Sequence, residues 1–276
     1  MKLSKKYANE KTKFKTALTC FAKTLEGLVC VDGQWTVKGF IDMFENIYTI
    51  SSDTKVISKI LELNLFPHFL EFAKQADYTI ELATHQNWYP DLTFVNNKNN
   101  EIKFALDLKT TYVNEKRPKF CNGFTLGSHG GYFTNRNHAK NIQYPYNTYS
   151  GHFCLGVIYL RAVLTAEFET RKYSIKELNE IPSMISNLNF FVAEKWQIAS
   201  DKRGSGNTAN IGSIKRIDDI LNGNGTFAKA GEGIFDDYWI NYGKIHIETK
   251  DGIRKPMTSF DEYISYRDLS QELKNR

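Results

Sequence analysis

The feature that most constrains this chain lies at residues 89–109. Ile102, Phe104, Leu106 and Leu108 alternate with Lys103, Ala105, Asp107 and Lys109, the period-two pattern of a strand with one apolar face. Asp107 and Lys109 therefore point the same way, off that face. Leu92 to Val95 predicts the preceding strand, and the Asn96-Asn97-Lys98-Asn99-Asn100 cluster predicts the loop joining the two. A hairpin folded about Lys98 lays Asp91, which follows Pro90, beside Asp107. Two carboxylates and an ammonium group then converge at one end of the hairpin.

This convergence resembles the ProAsp…AspXaaLys signature of metal-dependent nucleases. Two hard carboxylate oxygens can hold Mg²⁺, which keeps most of its waters and takes a phosphate oxygen as a further ligand. Water activated there can attack phosphorus in line, with Lys109 orienting it or stabilising the developing charge. The same residues also fit a solvated strand end with one surface ion pair, worth about 0–1 kcal/mol. The rest of the chain decides between these readings.

A length of 276 residues suits one sizeable α/β domain with appended elements. At 41% hydrophobic and 14% aromatic the chain can bury a full core, which argues against global disorder. A formal charge of +5 fits a polyanionic partner without requiring one. Cys20, Cys30, Cys121 and Cys154 are widely spaced with no CxxC pair, against both a zinc site and a secreted disulfide scaffold. A reducing cytoplasm is the expected home. No apolar run suits a membrane span and no apolar segment follows the basic start, so neither membrane insertion nor export is expected.

Phe14, Ala17, Leu18, Phe21, Leu25 and Leu28 recur at spacings of three and four and predict an amphipathic helix over residues 13–28. Asp32-Gly33 predicts a hairpin turn within residues 27–36, and residues 40–47 are expected to add a short helix. Ser52-Asp53 caps a second helix carrying Val56, Ile57, Ile60 and Leu61. On its polar face Glu62 either pairs with Lys59 or is aimed at the carboxylate site. Residues 153–162 form the apolar run of a strand buried on both faces, and shorter strands are expected at 190–192 and 196–199. The order of elements predicts an α/β fold with a mixed sheet.

Two polar stretches remain. Residues 121–149 are aromatic and Gly-rich, with Arg136, Asn137 and Lys140 suited to phosphate contacts or to an ordinary surface loop. The segment Gly204-Ser205-Gly206-Asn207-Thr208-Ala209-Asn210 permits close backbone approach but is no Walker loop, because no Gly-Lys-Ser/Thr ends it. In a major groove Asn207 can bond adenine bidentately and the Thr208 methyl can pack on a thymine methyl. A flexible surface loop is the alternative.

Several blocks together resemble the EcoRV family of type II restriction endonucleases. They are Ser52-Asp53-Thr54-Lys55-Val56, Gln86-Asn87-Trp88-Tyr89-Pro90-Asp91, Asp107-Leu108-Lys109-Thr110-Thr111-Tyr112, Lys140-Asn141-Ile142, Glu177-Leu178-Asn179-Glu180-Ile181-Pro182 and Gly204-Ser205-Gly206-Asn207-Thr208. They occur in the family's order between about residues 50 and 242. The resemblance implies a restriction-endonuclease-like (PD-(D/E)XK) fold, a mixed central β-sheet flanked by helices. It further implies an N-terminal dimerisation subdomain at 1–50, a catalytic and DNA-binding domain at 51–242 and a C-terminal tail or helix at 243–276. The implied activity is that of a cytoplasmic bacterial homodimer. It would cut palindromic double-stranded DNA, GATATC as the leading site, with Mg²⁺ or a substituting Mn²⁺, leaving blunt 5′-phosphate and 3′-hydroxyl ends. A companion DNA methyltransferase would protect the same site without a stable complex.

By motif match Asp91 and Asp107 would be metal ligands, Lys109 the catalytic lysine and Glu62 an accessory acidic residue able to bind a second metal. Gly204, Ser205, Gly206, Asn207, Thr208, Ala209 and Asn210 would read the major groove, and His85, Gln86 and Asn87 the minor groove. Lys55, Thr110, Thr111 and Lys140 would contact phosphates. Ala209, His85 and Trp88 depart from the family pattern, as does a longer 127–132 loop, and bear on phosphate contacts and outer-base stringency. The catalytic set is untouched. Two other readings share the scaffold: a catalytically silent DNA-binding protein, and a structure-selective repair nuclease.

Overall fold

Buried apolar residues one helical turn apart set the first element. In α1 (Ala8–Val29) the stripe is Phe14, Leu18, Ala22, Leu25 and Val29. The computed structural model describes residues 6–85, 88–128, 137, 140–162, 171–204, 210–248 and 251–269. After α1, Asp32 (φ 51) and Gly33 (φ 72) turn β1 (Cys30–Val31) back onto β2 (Gln34–Trp35), the positive dihedrals that two-residue hairpins require.

The helix expected at residues 40–47 does not form. The stretch is an antiparallel pair, β3 (Gly39–Ile41) and β4 (Asn46–Thr49). Asp42 accepts from the Phe44 and Asn46 N–H groups, and Glu45 adopts φ 62, so a side-chain turn takes the amides a helix would use. Asp53 then caps α2 (Thr54–Gln75) as expected, accepting from the Lys55 and Val56 N–H groups.

The chain continues through β5 (Tyr78–Glu81), β6 (Leu92–Asn96), β7 (Lys103–Asn114), β8 (Arg117–Cys121), β9 (Thr125–Ser128), β10 (Gly151–Arg161), β11 (Lys172–Ser174) and β12 (Ile185–Glu194). The strand expected at 190–192 is thus the end of a longer one. Residues 196–199 are not a separate strand: α3 (Lys195–Ile198) is a single helical turn, closed by a reciprocal cap between Glu194 and Gln197. Then follow β13 (Ala199–Arg203), β14 (Asn210–Ser213), α4 (Ile217–Leu221), α5 (Glu232–Asn241), the hairpin β15 (His246–Glu248) and β16 (Arg254–Pro256), and α6 (Phe260–Tyr266).

The main sheet has eight described strands in the order β1-β2-β12-β10-β7-β6-β5, with β8 on β7. β7 and β10 are parallel while β6–β7 and β10–β12 are antiparallel, so the sheet is mixed as expected. Short sheets β11-β4-β3 and β13-β14-β9 accompany it.

Both faces of β7 are covered. On one, Phe104, Leu106 and Leu108 join α1 and α2 in a core where the Phe14 ring stacks on Phe104 at 4.3 Å. On the other, Ala105, Cys154 and Ile158 meet Phe235, Tyr238, Trp239, Met257 and Tyr263 from the C-terminal elements. The Asp107 face therefore borders a second core, which is why this carboxylate is only 4% exposed.

Candidate active site

Register brings the carboxylates together. Leu92 pairs with Leu106 across β6 and β7, so Asp91 falls opposite Asp107, as the hairpin reading expects. Asp91 Oδ2 accepts from the Leu108 N–H at 2.8 Å, and the Asp91 N–H approaches Asp107 Oδ1 at 3.4 Å. Lys109 Nζ stands 3.1 Å from Asp107 Oδ2 and 3.8 Å from Asp91 Oδ2.

These residues line a cavity of about 1160 Å³. Thr54, Ser58 and Glu62 of α2 contribute to its wall, as do Lys202, Arg203, Gly204, Gly212 and Lys215 around β13 and β14. Cations on that wall suit a polyanion, since phosphate contacts position a duplex without reading it.

The two carboxylates titrate in opposite directions. Burial and the neighbouring Asp107 charge push Asp91 up to about 6, partly offset by Lys109. Burial also opposes ionisation of Asp107, but Lys109 and a second lysine, Lys195, outweigh it and hold this carboxyl well below its ordinary range. Burial works against the Lys109 ammonium too, and the Asp107 and Asp91 charges more than compensate, raising it.

Lys195 is the residue the sequence reading missed. It opens α3, is 8% exposed, and donates to Asp107 Oδ2 at 2.6 Å and to the Leu126 carbonyl at 3.1 Å. Its ammonium also lies 4.0 Å from the Tyr89 ring centroid. The one local signal is a lysine that follows β12 directly after Glu194 and sits inside the Glu194–Gln197 capping pattern.

The other expected site residues separate into groups. Glu62 reaches the cavity wall while its Oε1 accepts from Lys59 Nζ at 2.7 Å, so both roles open to it in the sequence have a structural counterpart. Lys55 is exposed beside a smaller cavity of about 480 Å³ shared with Ser58, Lys59, Glu62 and Thr110. Thr110 and Thr111 line the main cavity, Thr111 being only 4% exposed. Lys140 is exposed, on a turn.

His85 is exposed with its ring 4.4 Å from that of Trp88, while Gln86 and Asn87 lie outside the described residues. Of the glycine-rich segment, the described residues include its two ends. The Gly204 N–H donates to the Asn210 carbonyl at 2.6 Å, closing the loop at its base. Ser205, Gly206, Asn207, Thr208 and Ala209 lie outside the described residues.

The donor set fits a hard divalent cation. Two carboxylates share one end of a hairpin, and the raised Asp91 marks the electrostatic strain of placing both there. Among the described residues no group of three or more His, Cys, Asp or Glu could hold a metal. Any cation here would complete its shell with water or substrate oxygens, the habit of Mg²⁺ at phosphoryl sites.

A family model described as restriction endonuclease EcoRV matches residues 31–268. The type II restriction enzyme EcoRV of Escherichia coli is 41% identical over 210 residues, covering 76% of this chain and 83% of that protein. The chain belongs to the EcoRV restriction endonuclease family. The match begins before residue 50 and ends beyond residue 242, so it also takes in β3, β4 and α6, which the shorter resemblance left out. The mixed sheet flanked by helices is the restriction endonuclease fold. EcoRV-family enzymes are site-specific deoxyribonucleases that depend on divalent metals, and DNA is their substrate. No described helix is long and apolar enough to cross a membrane.

Proposed function

We propose that this protein is a Mg²⁺-dependent type II restriction endonuclease that cuts double-stranded DNA at a palindromic site, GATATC, as a homodimer. It leaves blunt ends with 5′-phosphates and 3′-hydroxyls. The observation that carries this reading is the Asp91–Asp107–Lys109 cluster lining a cavity to which Gly204, at the base of the glycine-rich segment, also contributes. The intact carboxylate pair and lysine speak against a silent DNA-binding protein.

Asp91 and Asp107 are the residues to hold the cation, whose chemistry at such a site is to activate water and to screen the phosphate charge. Mn²⁺, another cation suited to carboxylate and water ligands, can substitute. The Leu108 N–H fixes Asp91 by Oδ2, which leaves Oδ1 without a donor among the described residues and able to ligate. Lys109 can hold the attacking water in line and donate to the charge that builds on phosphorus. Lys202, Arg203 and Lys215 can bind backbone phosphates from the β13–β14 side, and Lys55 from the α2 side, with Thr110, Thr111 and Lys140 as further contacts.

Gly204, Gly206, Asn207 and Thr208 match the family's major-groove segment in sequence, which supports GATATC. His85, Gln86 and Asn87 would enter the minor groove, where bending at the flexible TA step adds indirect readout. Phe40, Ile41, Met43 and Phe44 on and between β3 and β4 are 53%, 59%, 88% and 76% exposed, an apolar patch suited to a second copy. A two-fold dimer matches a palindrome, each subunit reading one half. The cellular setting is a bacterial cytoplasm in which a separate methyltransferase modifies the same site. Glu62, freed from Lys59, could serve a second cation.

The test is to incubate the purified protein with phage DNA and Mg²⁺ and to sequence the fragment ends. Uniform blunt GAT|ATC ends are expected. A different hexamer would place the change of specificity in the loops, and DNA left intact with both Mg²⁺ and Mn²⁺ would favour the silent binder.

A further inference from the structure

Lys195 joins parts of the molecule that are otherwise separate in sequence. Its side chain is a two-ended strut, donating at 2.6 Å to Asp107 Oδ2 and at 3.1 Å to the carbonyl of Leu126 in β9. β9 pairs with β14, Asn210 standing opposite Ser128 and Ile211 opposite Gly127. β14 begins where the glycine-rich segment ends, and β13, which leads into that segment, leaves directly from the α3 turn that Lys195 opens. The base of the strut is anchored: Glu194 and Gln197 cap α3 reciprocally, and Lys11 Nζ lies 2.7 Å from Glu194 Oε2. The sheet carrying the glycine-rich segment thus shares the second core with the catalytic hairpin and, through one buried ammonium group, also a polar link to its carboxylate.

At Asp107 the strut has a directional effect. Oδ2 takes both Lys195 and Lys109, whereas among the described residues Oδ1 has the long 3.4 Å contact from the Asp91 N–H. Two donors on one oxygen fix the carboxylate rotamer and turn Oδ1 toward Asp91, where a cation would be shared. The same ammonium charge, beside that carboxylate, opposes a second positive charge.

We propose that Lys195 is a positioning residue that couples the DNA-reading sheet to the catalytic carboxylate. It holds Asp107 in its ligating orientation through its second contact on the β9 carbonyl, and its charge beside that carboxylate restrains cation binding. This rests on the reading of the 204–210 segment as DNA-facing. The two ends of the strut make it testable, because a purely structural lysine has no reason to move metal affinity and cleavage in opposite directions.

The experiment compares wild type with Lys195→Met, which keeps the apolar stem, and Lys195→Gln, which keeps a donor without the charge. Circular dichroism establishes that each is folded. Mn²⁺ affinity of the DNA-free protein is read by electron paramagnetic resonance, and single-turnover cleavage is read on the cognate hexamer and on a site with one altered base pair. The expected result in both variants is Mn²⁺ binding tightened about tenfold from loss of the opposing charge. In Lys195→Met cognate cleavage falls about 10²-fold from loss of orientation and the ratio of cognate to altered-site cleavage shrinks, whereas Lys195→Gln, which keeps a donor, loses less of both. Unchanged or weaker Mn²⁺ binding in a folded variant, or an unchanged cleavage ratio, would overturn the proposal. Failure of wild type to cut any duplex would instead overturn the nuclease reading, and the Mn²⁺ measurement, made without DNA, is independent of that outcome.

Discussion

The β6–β7 hairpin and the β9–β13–β14 sheet border the same cavity but are built on different terms. In the hairpin, four successive pairs run from Leu92↔Leu106 to Val95↔Lys103 without a break, and both faces of β7 are packed. In the small sheet the register slips between Ala199 and Arg203 and again between Ile211 and Gly212. Gly204 and Gly212 meet there backbone to backbone. A one-residue slip in the hairpin would turn Asp107 into the other core, so its geometry is strongly specified. A glycine contact with bulged neighbours tolerates adjustment. On the proposed function, chemistry is fixed where a core fixes it, and readout sits where the backbone can adapt to a duplex.

Removing either carboxylate strikes the specified half and gives the largest effect. Asp91→Ala or Asp107→Ala is expected to lower the cleavage rate constant at least about 10⁴-fold, equivalent to roughly 5.5 kcal/mol of barrier. DNA binding in gel shifts should persist, because the β13–β14 wall and its cations are untouched. Cleavage near the wild-type rate in either variant would remove these residues from the chemistry.

Gly204→Val tests the adaptable half. A Cβ at Gly204 would sit 3.3 Å from the Gly212 Cα and N, which forces β13 and β14 apart at the base of the segment. Cognate cleavage should fall about 10²-fold, while thermal stability falls less, because the crowding lies at the base of the segment and reaches the second core only through Ala199 and Ile211. A loss of stability as large as the loss of cleavage would mean that the small sheet is as tightly specified as the hairpin.

The same contrast explains what the sequence disclosed. The hairpin was legible because its evidence is local: strict alternation, a run of Asn and Lys at the turn, and a Pro-Asp pair at its start. The Asp53 cap and the two long helices were legible for the same reason. Residues 40–47 misled because Phe40, Ile41, Met43 and Phe44 have helix-like spacing but face outward, and the Asp42 turn that overrides them is a side-chain hydrogen bond. Residues 196–199 misled because a short apolar run has no period of its own. Lys195 was invisible for a deeper reason: it meets Asp107 across 88 positions of sequence, and only the parallel and antiparallel neighbours of β10 bring the two together.

The fixed geometry of the hairpin carries an electrostatic cost, which Asp91→Asn should reveal. In the folded protein Asp91 rises from 3.8 to about 6. A carboxyl with a raised folded pKa favours the folded state when protonated, so its contribution is fully present below pH 4 and is lost as pH rises through 6. Asparagine mimics the protonated group at every pH. The metal-free variant should therefore match wild type below pH 4 and exceed it by about 3 kcal/mol near pH 7, read by denaturant melts. Millimolar Mg²⁺ should close that gap by stabilising wild type alone. A gap independent of pH would show that the change acts through packing rather than charge.

The smallest effect belongs to the α2 wall, where Lys59 and Glu62 form an ion pair with side chains 51% and 38% exposed. Such a pair contributes about 0–1 kcal/mol, so Lys59→Ala should leave the melting curve nearly unchanged. Its value lies in what it does to Glu62, which loses its partner and regains freedom to turn toward Asp91, a carboxyl that its charge already helps to raise. An added negative charge at the cavity wall should lower the Mg²⁺ concentration for half-maximal cleavage by about two- to threefold, an effect that salt screens. If the Mg²⁺ dependence stays where it is in wild type, Glu62 belongs to the solvated face of α2. The metal chemistry then rests on the hairpin alone, which would make the contrast between the two halves of the cavity sharper still.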